Sequence, residues 1–260
     1  MPPIAELANR FGTCTLREVA KEQVTIFRKE SEHGIDLWAG DPSCQHAHEA
    51  LLAVLSKIGN FIGATEVLGH RRQGNLGEFI SLQVAANGAL DYSKAYAQNA
   101  FDPLQNISRA GLDITYLYFE PIEVGEDLIY IQEVKTTGGL PLSYADGLTE
   151  DYEKLFGEDP DFTLNTRVQG LAMMLEVGEH RIDLARRLEE LASTEPRRCT
   201  HVRLIPTVVH EKVGTDPVKK LLAIKSSVSA FGWHADQIQP WSIGFENLID
   251  RLTRMARGQK

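Results

Sequence analysis

Apolar positions along the chain follow two rhythms, one of period two and one near 3.6, and the switches between them mark out the elements. Residues 22–30, EQVTIFRKE, alternate as a strand does. In HAHEALLAVLSKIGNFI (46–62), Ala50, Leu51, Val54, Leu55, Ile58 and Ile62 fall at helical spacing. Together they predict an N-terminal α/β elaboration over residues 1–68, packed on a core that runs from 69 to 260. The glycine-rich, basic GHRRQGNLG (69–77) reads as a loop that opens into a helix, EFISLQVAANGAL. A polar stretch over 91–111 follows, with loop signals around one short element.

Two strand-like runs come next. LDITYLYF (112–119) is rich in β-branched and aromatic residues, and LIYIQEVKTT (128–137) follows after the turn-like EPIEVGED, so the pair is expected as antiparallel neighbours. Residues 165–192 carry long helical periodicity, which Gly170 and Gly178 are expected to split into two helices. Met173 and Met174 lie beside Leu171 and Leu175 and are assigned to the core. THVRLIPTVVHE (200–211) is a further strand, KLLAIKSSV continues as strand or helix, and FENLIDRLTRMARG is a terminal amphipathic helix. This order predicts an α/β fold with a central mixed sheet flanked by helices.

The polar middle of LIYIQEVKTT stands out from its apolar surroundings. Residues two apart on a strand share a face, so Glu133 and Lys135 project side by side while Val134 turns to the other face. A Glu-x-Lys triplet arises by chance roughly once in a chain of this length, so alone it says little. Asp113 changes that, because it opens the preceding strand just after Gly111 and Leu112. In an antiparallel pair, the start of one strand lies beside the end of the next. Two carboxylates converging from neighbouring strands make a hard-oxygen site suited to Mg²⁺ or Mn²⁺, with the Val134 carbonyl as a third ligand. A lysine beside them suits metal-assisted phosphodiester hydrolysis, where it would orient or deprotonate water and offset charge on the phosphate.

Charge and composition narrow the partners. The chain has 260 residues, 43% hydrophobic, and a formal net charge of −9, the wrong sign for holding nucleic acid by bulk electrostatics. Basic clusters occur at Arg71 and Arg72, at Arg197, Arg198 and Arg203, and at Arg251, Arg254 and Arg257; taken singly, each also reads as a solvated arginine face. Cys14, Cys44 and Cys199 are scattered and odd in number, which suits a reducing cytosol better than a disulfide framework. The opening MPPIAELANRF lacks the layout of a secretory signal, and no uncharged apolar run reaches membrane-spanning length. A cytoplasmic protein without membrane contact is expected.

The set Asp113, then Glu133-Val134-Lys135, preceded by a helix bearing Glu78 in GNLGEFI, resembles the PD-(D/E)XK nuclease superfamily. In that superfamily a helix glutamate, a strand aspartate and an E-x-K strand build the metal site. No proline stands directly before Asp113, a departure from the fullest form of the motif. The likeness spans roughly residues 70–210. It implies a restriction-endonuclease-like core and a Mg²⁺-dependent deoxyribonuclease. Asp113 and Glu133 would be its metal ligands, Lys135 would position water, and Glu78 would support the metal shell. Glu78 also has an ordinary reading as a carboxylate favoured near a helix N-terminus. The segments GNLGEFI, GLDI and EVKTT are in turn similar to the nuclease subunit of the Hachiman anti-phage defence system. That likeness implies a helicase partner that restrains the nuclease and delivers DNA, which the acidic subunit alone would bind weakly.

Other motifs lose on chemistry. Cys44-Gln45-His46-Ala47-His48 has the residues of a zinc cluster, but helical spacing would splay His46 from His48 and no distant pair completes a tetrahedron. There is no G-x-S-x-G elbow and no P-loop, so ATP is not expected to bind. Gln169 reads as a solvated glutamine. Two alternatives of other classes remain: a catalytically silent scaffold of the same fold that binds a protein partner, and an α/β phosphoesterase acting on small metabolites.

Overall fold

The computed structural model describes residues 35–38, 61–86, 90–97, 104, 113–120, 127–138, 145–154, 164–192, 201–211 and 217–259. The strand expected over 22–30, residues 46–60 of the helix expected over 46–62, the Cys44–His48 cluster, all three cysteines, Arg197 and Arg198 lie outside the described residues, and Phe61 and Ile62, at the end of that helix, are not helical. In chain order the elements are β1 (Ile35–Trp38), α1 (His70–Val84), β2 (Lys94–Ala97), β3 (Ile114–Tyr118), β4 (Leu128–Thr137) and α2 (Ala145–Lys154). They continue with α3 (Leu164–Met173), α4 (Ile182–Ala192), β5 (Val202–Glu211), α5 (Pro217–Ala230), β6 (Trp241–Phe245) and α6 (Leu248–Ala256). Six strands form one sheet in the order β1-β6-β5-β4-β3-β2. The chain is therefore α/β with a mixed sheet, antiparallel from β2 to β4 and parallel from β4 through β5 and β6 to β1.

Alternation along β4 sorts its side chains between two helical layers. Val134 joins Ile114, Tyr116, Ile205 and Val209 in a core closed by α1 and α6. Ile129 and Ile131 face the other way, with Leu204 and Val208, into a core closed by α2, α3, α4 and α5. Register is pinned in the first layer by a buried chain of hydrogen bonds across three strands. The Tyr116 hydroxyl donates to Gln132 Oε1 at 2.6 Å, and Gln132 Nε2 donates to Thr207 Oγ1 at 2.8 Å. Buried polar groups are costly to leave unpaired, so this chain resists a slip of β4 against either neighbour. The β6 and β1 strands, on the far side of β5, are absent from the expected elements; β1 comes from the 1–68 segment and pairs in parallel with β6.

Three sequence expectations need correcting. GHRRQGNLG is not a loop: α1 begins at His70, so Glu78 sits in mid-helix rather than in the first turn. Gly77 is required there by packing, because a Cβ at that position would collide with the Thr136 hydroxyl on β4. Gly170 does not break α3, which instead runs through Met173 into a π-helical turn, Met174–Gly178, and ends with His180 in the left-handed region at φ 56°. Met173 and Met174 are not core: they are 65% and 48% exposed, while Leu171 and Leu175 take the buried positions. KLLAIKSSV resolves as helix, within α5. The strand over 128–137 and the antiparallel pairing of β3 with β4 match the pattern. Among the described residues, no helix is long and apolar enough to cross a membrane.

Candidate metal centre

Ile114 is paired with Gln132, so Asp113, one residue before β3 begins, lies opposite Glu133 on the same face of the sheet. Its carboxylate accepts a hydrogen bond from the Val134 backbone N–H at 2.7 Å through Oδ2. A residue's N–H and C=O point to the same side of a strand, so the Val134 carbonyl also faces the edge where Asp113 sits. Glu133 is buried, 7% exposed, and its carboxyl group shares a hydrogen bond with Asp113. Lys135, two residues on, is half-buried on the same face and forms an ion pair with Asp151 of α2. Asp113, Glu133 and Lys135 are thus brought together.

Burial dominates the electrostatics. It pushes the Asp113 carboxyl up to about 6, against the pull of the Val134 N–H and the Lys135 charge. Glu133 is raised well above the usual glutamate range, first by burial and then by the neighbouring Asp113 and Asp151 charges. Two carboxyl groups this close cannot both ionise cheaply, so between them they favour holding a proton. Burial works against the Lys135 ammonium, yet Asp151, helped by Asp113 and Glu133, holds it above the ordinary lysine range. A cation placed between Asp113 and Glu133 would relieve the same repulsion that a proton does.

Glu78 stands differently. It is buried, 8% exposed, but α1 packs on the sheet face opposite the one that carries Glu133 and Lys135. Sequence reasoning also missed three contributors. Asp151 and Tyr152 come from α2, where the Tyr152 hydroxyl accepts from the Glu133 N–H at 3.3 Å and donates to the Ile131 carbonyl at 3.2 Å. Arg167 of α3 is half-buried and lends positive charge to Glu133, whereas Gln169, two residues on, is exposed. The only sequence signal for α2 was the i, i+4 pair Leu148 and Tyr152 in an otherwise polar run, both now buried.

The donor set suits a hard divalent cation, since it offers two carboxylates and a strand carbonyl and no thiolate or imidazole. Among the described residues, no group of three or more His, Cys, Asp or Glu side chains is arranged to hold a metal, so water or substrate oxygens would have to complete the coordination. An open cavity of about 420 Å³ lies elsewhere, at the far end of β3, lined by Lys94, Glu120, Arg181 and Arg187 among others. Its cations are engaged: Lys94 with Glu179, Arg181 with Asp183, and Arg187 with the buried Asp127. One arginine in each of two basic clusters is likewise engaged. Arg72 pairs with Glu66 and donates to the Leu104 carbonyl at 2.7 Å, and Arg257 donates to the Glu66 carbonyl at 3.1 Å. The chain matches no protein-family model, and no curated protein matches it in sequence.

Proposed function

We propose that this chain is a Mg²⁺-dependent nuclease that hydrolyses DNA phosphodiesters, with a restriction-endonuclease-like core running from α1 to β5. The observation that carries the reading is the meeting of Asp113 with Glu133, Val134 and Lys135 on one edge of β4. Asp113, Glu133 and the Val134 carbonyl would hold Mg²⁺ or Mn²⁺. Such an ion supplies Lewis acidity toward a phosphoryl oxygen and a template for in-line attack. Lys135 extends from the same face, where its ammonium would orient the attacking water and offset charge growing on the phosphate oxygens. Glu78 would act on the metal shell only by reaching round the strand end from the other layer. By its resemblance to the Hachiman nuclease subunit, the chain would serve as the effector of a prokaryotic anti-phage complex, with a helicase as partner.

Supercoiled plasmid incubated with purified protein tests the reading. The wild type is expected to nick or linearise it with Mg²⁺ and not with EDTA, while Asp113→Ala and Lys135→Ala lose activity by 10²-fold or more, on the order expected when a group acting on the reacting atoms is removed. Full activity in both folded variants would sink the assignment. A second reading is a catalytically silent scaffold, in which the Lys135–Asp151 ion pair only ties α2 to β4. A wild type that neither binds Mg²⁺ nor cuts would favour the scaffold.

A further inference from the structure

A lysine side chain is a flexible stem with a mobile charged head, and it positions water only if something fixes that head. Two residues of α2, one helical turn apart and so on one face, meet Lys135. At Gly147 a Cβ would come within 3.5 Å of Lys135 Cε, which places the helix backbone alongside the stem. At Asp151 the carboxylate takes the ammonium in an ion pair. The next residue, Tyr152, ties α2 to β4 itself, through its hydrogen bonds with the Glu133 N–H and the Ile131 carbonyl. Leu148 and Tyr152 are sealed in the core beneath, so the helix that carries Asp151 is registered against the strand that carries Glu133 and Lys135.

We propose that Asp151 is a positioning residue, which holds the Lys135 ammonium on the face shared by Asp113 and Glu133 and is not itself a metal ligand. The geometry supports this: Asp151 contacts the Lys135 ammonium, and among the described residues no three carboxylates are arranged to hold a metal, so Asp151 bears on Asp113 and Glu133 by its charge and not as a third ligand. The inference rests on the nuclease reading and deepens it. It assigns α2 the task of ordering the one cationic head on the E-x-K strand.

The test uses Asp151→Asn and Asp151→Glu in the full chain, with three readouts. Plasmid cleavage under Mg²⁺ is expected to lose roughly 10- to 100-fold in kcat in Asp151→Asn, the scale of a misplaced reacting group, with KM for DNA unchanged. Asp151→Glu is expected to recover part of that loss. Mn²⁺ binding, measured by calorimetry, is expected to be retained in both variants, and the ¹⁵N order parameter of the Lys135 ammonium is expected to fall only in Asp151→Asn. Unchanged kcat would overturn the proposal, and so would abolished Mn²⁺ binding in Asp151→Asn, which would make Asp151 a ligand. If the wild type does not cut DNA at all, the nuclease reading fails. The Lys135 order parameter then decides the positioning claim alone, and no change in Asp151→Asn would end it.

Discussion

Asp113 serves two neighbours at once, as acceptor for the Val134 N–H and as the carboxyl partner of Glu133. Its folded pKa of about 6 lies above the ordinary 3.8, so the folded protein keeps a proton that the unfolded chain releases between those values. The penalty of burying the anion is therefore full above about pH 6, is relieved as pH falls through that value, and is gone below the unfolded pKa. Glu133 pulls in the same direction. In EDTA, Asp113→Asn is expected to be more stable than the wild type near neutral pH by on the order of 1 kcal/mol, and the gap should close toward about pH 4. Urea denaturation of both proteins across that range checks the sign; a gap that is absent, or that widens on acidification, would contradict it. At this scale the sequence was informative where spacing decides geometry. Glu133 and Lys135 share a face because strands have period two, and Asp113 meets them because hairpin strands run antiparallel. Asp151, Tyr152 and Arg167 were illegible because their approach depends on how α2 and α3 dock, which no local spacing encodes.

The same limit shows among the elements. The β3–β4 hairpin could be read directly because both runs are β-branched and closely spaced, whereas β6 was hidden: WSIGF alternates Trp241, Ile243 and Phe245 with Ser242 and Gly244, but over only five residues. It gains its identity only from parallel pairing with β5 and β1. The loop assigned to GHRRQGNLG failed for the opposite reason. Its glycines argue against a helix locally, but Gly77 is the point at which α1 closes on Thr136, so tertiary contact outweighs a helix cost of about 1 kcal/mol. Gly77→Ala, which would favour the isolated helix, is therefore expected to destabilise the protein by about 1–3 kcal/mol. Adding Thr136→Ala should return part of that loss, since the two changes act at one contact. Thermal melts of Gly77→Ala, Thr136→Ala and the double variant measure this coupling, and a neutral or stabilising Gly77→Ala would show that α1 does not close on Thr136.

Across the whole molecule, the sheet divides the work between its faces. One layer, with α1 and α6, is apolar packing braced by the Tyr116–Gln132–Thr207 chain. The other brings α2 and α3 over the polar middle of β4, so the proposed chemistry sits on the side where helices supply charge to it. A net charge of −9 leaves this chain poorly equipped to grip a polyanion alone, which is the physical ground for expecting a partner that delivers DNA. On the proposed reading, Asp113 and Glu133 form a pair that a divalent cation would occupy. Calorimetric titration of Mn²⁺ into the wild type and into Asp113→Ala tests it most directly, before any substrate is chosen. One site is expected in the wild type and none in the folded variant. Absence of binding in the wild type, or equal binding in both, would contradict it.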